Sequence, residues 1–224
     1  MPGPICVKLK VPTTYWCCVN CPGNPDAWKR HAPYHKAVKR RQKLVAEGLR
    51  YGSKDDIRRE ARAYREAIAL EPDEAGAYLN LGSVLSDSGH YVEAAQRYLE
   101  ARERLPVGSE DWARATARAF SMLTLEACAE VAKPEWWNDE GLKALSARVV
   151  RAAPDFLGAN RMRAFVLCGQ HSAWEAGPRS AAELKEAATH FERAAALCPA
   201  PVGKAELAEL AGWCRSQARA MCEE

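Results

Sequence analysis

Residues 75–106, AGAYLNLGSVLSDSGHYVEAAQRYLEARERLP, decide the fold of this 224-residue chain. Gly82 and Ala94 are small enough to let two antiparallel helices approach closely. Gly89 suits the turn between these helices, and Pro106 ends the second one. The stretch therefore predicts an antiparallel helix pair whose inner space is filled by four large side chains: Tyr78, Leu81, Leu85 and Tyr98.

The same pattern recurs at a fixed spacing. Pro72 and Pro106 lie 34 residues apart, and each follows a helical stretch, 61–70 and 91–105. One repeat earlier, matching offsets are held by Leu44, Gly48, Tyr51, Ile57, Tyr64, Ala67 and Pro72. A period of this length is typical of stacked helix pairs, because each pair buries its apolar face only against its neighbours.

These residues carry a resemblance to the tetratricopeptide repeat family, which extends over residues 41–199. The resemblance implies an all-α, right-handed α-solenoid of about four antiparallel helix pairs with a C-terminal capping helix. The predicted domains are an irregular, basic extension, 1–36, and a repeat domain, 37–224. The repeats are expected at about 41–74, 75–108, 109–154 and 155–199, with the capping helix at about 204–222.

The third and fourth repeats are longer than the first two. Ser109 is expected to cap a helix at 110–131, and the next terminating proline is Pro154. Residues 133–140 are therefore read as an insertion, followed by a helix at 142–152. In the fourth repeat, helices are expected at 158–167 and 181–197, the second opened by a capping box at 180–183. Residues 171–179 between them form a second insertion, and both insertions contain tryptophan.

The family resemblance implies binding of a peptide or helix in a concave groove lined by the first helix of each repeat. We therefore predict a non-catalytic protein–protein interaction module, an adaptor or scaffold in a larger assembly. The expected groove is mixed in charge with an apolar end, which suits a helix or a short apolar motif. Its predicted lining is Asn80, Ser83, Asp87, Arg114, Phe120, Arg161, Met162 and Phe165. The alternative is that Asn80 hydrogen-bonds within the array and Arg114 is a solvated helix residue.

One subfamily binds the acidic C-terminal tails of heat-shock chaperones with five polar residues, Lys, Asn, Asn, Lys and Arg. On the corresponding positions this chain has Val45, Leu49, Asn80, Glu110 and Arg114. Only Asn80 and Arg114 match, and Glu110 would repel a carboxylate. The sequence therefore disfavours a chaperone tail as the partner.

The N-terminal segment contains a second candidate site. Cys18 and Cys21 are followed by His31 and His35, and both pair spacings occur in tetrahedral zinc sites. A basic cluster lies at 36–43, and residues 1–43 carry a net charge of +8 against −5 for the remainder. The alternative function is thus a zinc-stapled, nucleic-acid-associated protein that uses residues 15–43, with the repeats as a platform. The alternative for the cysteines and histidines themselves is a reduced tail without metal.

Other classes of function are disfavoured. The chain has no glycine-rich phosphate loop, no Gly-x-Ser-x-Gly elbow and no His-Glu-x-x-His motif, so we expect no enzyme and no cofactor beyond this zinc ion. No apolar run reaches the length of a membrane span, and no secretory signal is expected. The nine cysteines are an odd number, and five of them lie in helical patterns, which favours a reducing compartment, the cytoplasm or nucleus.

Overall fold

The computed structural model describes Ile5–Cys6, Val11–Pro12, Lys43, Ala46 and residues 57–223. The chain divides into two compact units, Met1–Asp73 and Glu74–Glu224. The first unit contains a short antiparallel ladder between β1 (Ile5–Cys6) and β2 (Val11–Pro12). Lys43 and Ala46 are helical, and helix α1 spans Ile57–Leu70.

Helix α1 is amphipathic, and one face of it is buried. Its buried residues are Ala61, Ala63, Tyr64 and Ala67. Burial, together with the neighbouring Glu60 carboxylate, raises the pKa of Tyr64 to about 12. The phenol therefore stays neutral in the folded protein and acts as a packing residue with a polar tip.

The second unit is a succession of seven helices. They are α2 (Ala75–Asp87), α3 (Tyr91–Arg104), α4 (Glu110–Leu123), α5 (Asp139–Ala152), α6 (Leu157–Cys168), α7 (Ala181–Leu197) and α8 (Pro201–Glu223). Each helix packs against the next one in the chain, and α4 also packs against α6. Residues 57–223 are thus entirely helices and their connections, and the predicted all-α solenoid is confirmed.

The α2–α3 pair shows why the repeat needs small residues. A Cβ atom on Gly82 would lie only 2.7 Å from the ring of Tyr98, whose side chain is itself buried. Gly89 adopts a φ of 80° in the turn between the two helices, a conformation that favours glycine. The predicted roles of both glycines are therefore seen in the structure.

Two predicted helix starts are confirmed by their caps. The Ser109 side chain accepts a hydrogen bond from the Trp112 backbone N–H at 3.1 Å. At α7, Ser180 accepts from the Glu183 backbone at 3.2 Å, and the Glu183 carboxylate accepts from the Ser180 backbone at 2.8 Å. This is the reciprocal capping box that the sequence predicts.

The helix expected at 110–131 is shorter than predicted. Helix α4 ends at Leu123, and a single 3₁₀ turn, Glu126–Cys128, follows it. The Lys133 ammonium donates to the backbone carbonyls of Leu123 (3.1 Å) and Cys128 (2.6 Å). This side chain satisfies the Leu123 carbonyl, which a longer helix would have paired internally, so it stabilises the early end.

Two other helices begin earlier than the sequence suggests. Helix α5 begins at Asp139 because Asn138 caps it, its side chain accepting from the Gly141 N–H at 2.9 Å. Helix α8 begins at Pro201, where the missing N–H of proline costs no helical hydrogen bond.

Candidate partner-binding site

Helix α2 presents a polar stripe. Asn80, Ser83 and Asp87 are spaced by three and four residues, so their side chains share one face of the helix. Asn80 is half-buried, yet its amide makes no hydrogen bond within the described residues, whereas Asp87 is exposed. Within those residues Asn80 therefore has no hydrogen-bond partner in the array, and its binding to a partner stays a prediction.

Tyr98 connects this stripe to helix α4. Its buried hydroxyl interacts with the side chains of Ser83 and Arg118, and the negative charge of Asp87 acts to raise its pKa. The Arg118 guanidinium lies 5.8 Å from the Tyr98 ring centroid. Burial raises the pKa of Tyr98, and the positive charge of Arg118 opposes part of that rise. An acidic group of α2 and a basic group of α4 thus both lie near this neutral phenol.

Sequence reasoning missed Arg118, although a signal was present. It follows the predicted Arg114 by four residues, so the two side chains lie on the same face of α4. Arg114 is exposed, and its guanidinium donates to Glu110 at 2.5 and 3.1 Å. It also lies 5.6 Å from the Phe156 ring centroid. Arg114 is thus exposed and paired with Glu110, and its predicted contact with a partner stays a prediction.

The structure corrects the apolar end of the predicted groove. Phe120 is 2% exposed and Met162 is 1% exposed, because both belong to the core formed by α4, α5 and α6. A partner cannot contact either side chain in this arrangement. Both residues fall on first helices, as expected, but on the faces by which those helices pack together.

The two insertions cover this apolar region with tryptophans. Trp137 of the first insertion and Trp174 of the second lie 5.6 and 5.8 Å from Phe120, measured between ring centroids. The Trp137 indole N–H donates to the Ala173 carbonyl at 2.8 Å, which joins the insertions directly. The tryptophans of the insertions therefore pack against the repeats and against each other.

The aromatic cluster continues to helix α6. His171 stacks on Trp174 at 5.4 Å, and its ring lies 5.9 Å from Phe165. Phe165 also meets Phe191 of α7 edge-on at 5.1 Å. The exposed Arg161 guanidinium lies 5.5 Å from the Phe165 ring. Phe165 is thus half-buried and largely occupied by the chain's own side chains, and Arg161 is the accessible group at this end.

An ion network, defined here as Asp139, Lys143, Arg179 and Glu183, holds the second insertion in place. Arg179 donates to both oxygens of Asp139 at 2.5 and 2.8 Å, and to the Val166 carbonyl at 3.0 Å. Lys143 lies 3.3 Å from Asp139 and 2.8 Å from Glu183. The hydrogen bonds from Arg179 hold the pKa of Asp139 far below its usual range. Burial alone would raise the pKa of Glu183, but its hydrogen bonds to Lys143 and Ser180 outweigh burial and lower it to about 2.

The predicted zinc ligands, Cys18, Cys21, His31 and His35, lie outside the described residues. Within the part of the chain that the structure describes, no group of three or more His, Cys, Asp or Glu side chains could hold a metal ion. No helix among those residues is long and apolar enough to cross a bilayer.

Comparison with known proteins supports the repeat assignment. The family model described as "Tetratricopeptide repeat" matches residues 63–96. None of the curated proteins compared with the chain matches it in sequence. The crystal structure of MamA is 15% identical and superimposes with a TM-score of 0.53, covering 83% of this chain and 90% of that one. A MamA RS-1 ArsTM double mutant is 14% identical with a TM-score of 0.53, covering 82% and 89%.

At these identities the two structural neighbours show the fold alone. The repeat match covers the end of one predicted repeat and much of the next, and within Glu74–Glu224 each helix packs against the next one in the chain. Residues 63–96 therefore match a tetratricopeptide repeat, and the fold is similar to that of MamA, as the sequence pattern predicts.

Proposed function

We propose that this protein is a non-catalytic protein–protein interaction module, an adaptor or scaffold that binds a partner segment along helices α2 and α4. The observation that carries the proposal is the unpaired Asn80 amide on the α2 stripe, beside Ser83 and Asp87. An amide offers both a donor and an acceptor, so it can pair with the backbone of a peptide of almost any sequence.

The charges of this surface suggest what the partner presents. Asp87 and Arg118 both lie near Tyr98 and favour a segment with both a basic and an acidic group. The predicted apolar end is filled by the two insertions, which favours an extended polar segment over a helix with a long apolar face. A chaperone tail is disfavoured further, because Glu110 already pairs with Arg114.

A peptide selection with the full-length chain tests the proposal. Peptides selected from a random display library are titrated calorimetrically into the wild type and into Asn80→Ala. We expect the variant to bind at least about tenfold more weakly, which corresponds to roughly 1.4 kcal/mol. Gln96→Ala is the matched control. Gln96 is an exposed amide on α3, outside the proposed surface, and it makes no hydrogen bond among the described residues. Equal affinity for wild type and Asn80→Ala would refute binding at this surface.

The zinc-stapled, nucleic-acid-associated alternative rests on the sequence of residues 15–43 alone. It predicts about one zinc ion per chain and RNA binding that weakens steeply with salt. The interaction module predicts neither property. In either case we propose a reducing compartment, the cytoplasm or nucleus.

A further inference from the structure

Two arginines on second helices cover the same tryptophan. The guanidinium of Arg102, on α3, lies 5.8 Å from the Trp112 ring centroid, and that of Arg148, on α5, lies 5.4 Å from it. Arg102 also lies 5.2 Å from the ring of Trp136 in the first insertion. Trp112 itself is 1% exposed, so its position is fixed by the core. The planar guanidinium of Arg102 thus lies within about 6 Å of two indole rings.

Neither arginine is held by an ion pair in the part of the chain that the structure describes. Within the described residues, neither guanidinium makes a hydrogen bond or an ion pair, and the Arg102 Nε–H is buried without an acceptor. Burial lowers the pKa of Arg102, and the like charge of Arg148 lowers it further, whereas Glu103 on the same helix acts in the opposite direction. A buried charged donor without an acceptor is costly, and two neighbouring cations repel each other.

An oxyanion would remove both costs at once. Guanidinium groups bind phosphate with two parallel hydrogen bonds, and a dianion can neutralise two arginines together. The indole rings restrict Arg102 in advance, so less side-chain entropy is lost when the anion binds.

We propose that Arg102 and Arg148 form a binding site for one phosphoryl group carried on a protein partner. A nucleic acid is the less suitable source, because residues 44–224 carry a net charge of −5 and a polyanion needs an extended basic surface. The two arginines of this site lie on α3 and α5, whereas the surface proposed above uses Asn80, Ser83 and Asp87 of α2 and Arg118 of α4, so the two sites use different residues.

Phenyl phosphate is the first probe, and the full-length chain is the protein tested. In ¹⁵N-resolved NMR spectra of the arginine Nε–H groups, we expect the Arg102 signal to shift on titration. Arg148→Gln should weaken this binding by at least about tenfold without unfolding the protein, since Arg148 is exposed. Arg102→Lys should weaken it as well, because lysine lacks the planar fork. Arg219→Gln is the matched control, because Arg219 is an exposed arginine of α8.

A second arm identifies the source of the phosphate. A degenerate library of phosphoserine, phosphothreonine and phosphotyrosine peptides is passed over immobilised wild type and Arg148→Gln, before and after phosphatase treatment. The proposal expects retention that requires both the phosphate and Arg148. Unchanged binding of phenyl phosphate to Arg148→Gln would overturn the site. Retention of single-stranded RNA instead of phosphopeptides, lost in Arg148→Gln, would overturn the assignment to a protein partner.

Discussion

Gly82 is the residue at which the α2–α3 packing can be tested most directly. Its missing side chain leaves the space that the Tyr98 ring fills, and an added Cβ would lie 2.7 Å from that ring. Tyr98 is buried and cannot move aside without disturbing Ser83 and Arg118. We expect Gly82→Ala to lower the free energy of unfolding by about 1–3 kcal/mol, measured by urea denaturation.

Gly212 in α8 is the matched control for this prediction. It is also a helical glycine, but nothing lies within 4 Å of an added Cβ. Gly212→Ala should therefore raise the stability by about 0.5–1 kcal/mol, because alanine loses less backbone entropy in a helix. Equal effects of the two substitutions would show that helix propensity, and not the contact with Tyr98, dominates at position 82.

At the residue scale, the sequence predicted which side chains lie on the first helices but not which remain accessible. Asn80, Ser83 and Asp87 could be placed on one face from their spacing alone. The burial of Phe120 could not be predicted in this way, since Trp137 and Trp174 from two separate insertions pack against its ring. Periodicity describes one helix at a time, whereas accessibility depends on what packs against it.

At the scale of elements, helix ends were predictable where a local cap determines them. Ser109 and the pair Ser180–Glu183 act within four residues, so the sequence alone identifies the starts of α4 and α7. The end of α4 was not predictable, because Lys133 reaches back ten residues to the Leu123 carbonyl. The path of the insertions depends on still longer contacts, such as Trp137 to Ala173, 36 residues apart.

The ion network that holds the second insertion yields a prediction at this scale. Arg179→Gln removes the paired hydrogen bonds to Asp139, which is 17% exposed, and should cost about 2–3 kcal/mol at pH 7. Acrylamide should then quench tryptophan fluorescence more strongly, since Trp174 becomes more accessible. Arg114→Gln is the control: it breaks an exposed pair with Glu110 and should cost less than about 0.5 kcal/mol.

The same network should make stability depend on pH. Asp139 and Glu183 have lowered pKa values in the folded protein, so their contribution is fully present above their unfolded pKa values, near 4. As the pH falls from 5 to 3, the unfolded chain binds protons first and this contribution is progressively lost. The stability difference between wild type and Arg179→Gln should therefore shrink over that range. A difference independent of pH would show that the carboxylates contribute little.

At the scale of the whole molecule, the repeat pattern was recoverable from the sequence because stacking repeats the same contacts. Within Glu74–Glu224, helices pack mainly against their neighbours along the chain, so a period of 34 residues is enough to identify the architecture. Such a solenoid should also lose stability locally, because few contacts connect its distant helices.

A substitution at Leu207 of α8 allows this local loss of stability to be measured. Its side chain is buried in a cluster with residues of α6 and α7, including Ala188 and Phe191. Leu207→Ala leaves a cavity there and should destabilise this end by about 2–4 kcal/mol. In native-state hydrogen exchange, we expect amides of α7 and α8 to lose protection while those of α2 and α3 keep most of theirs.

Lys204→Ala, an exposed change in the same helix, should alter neither region. An equal loss in α2 and α8 would mean that the unit unfolds as one cooperative domain, because only then would a cavity under α8 weaken helices that it does not contact.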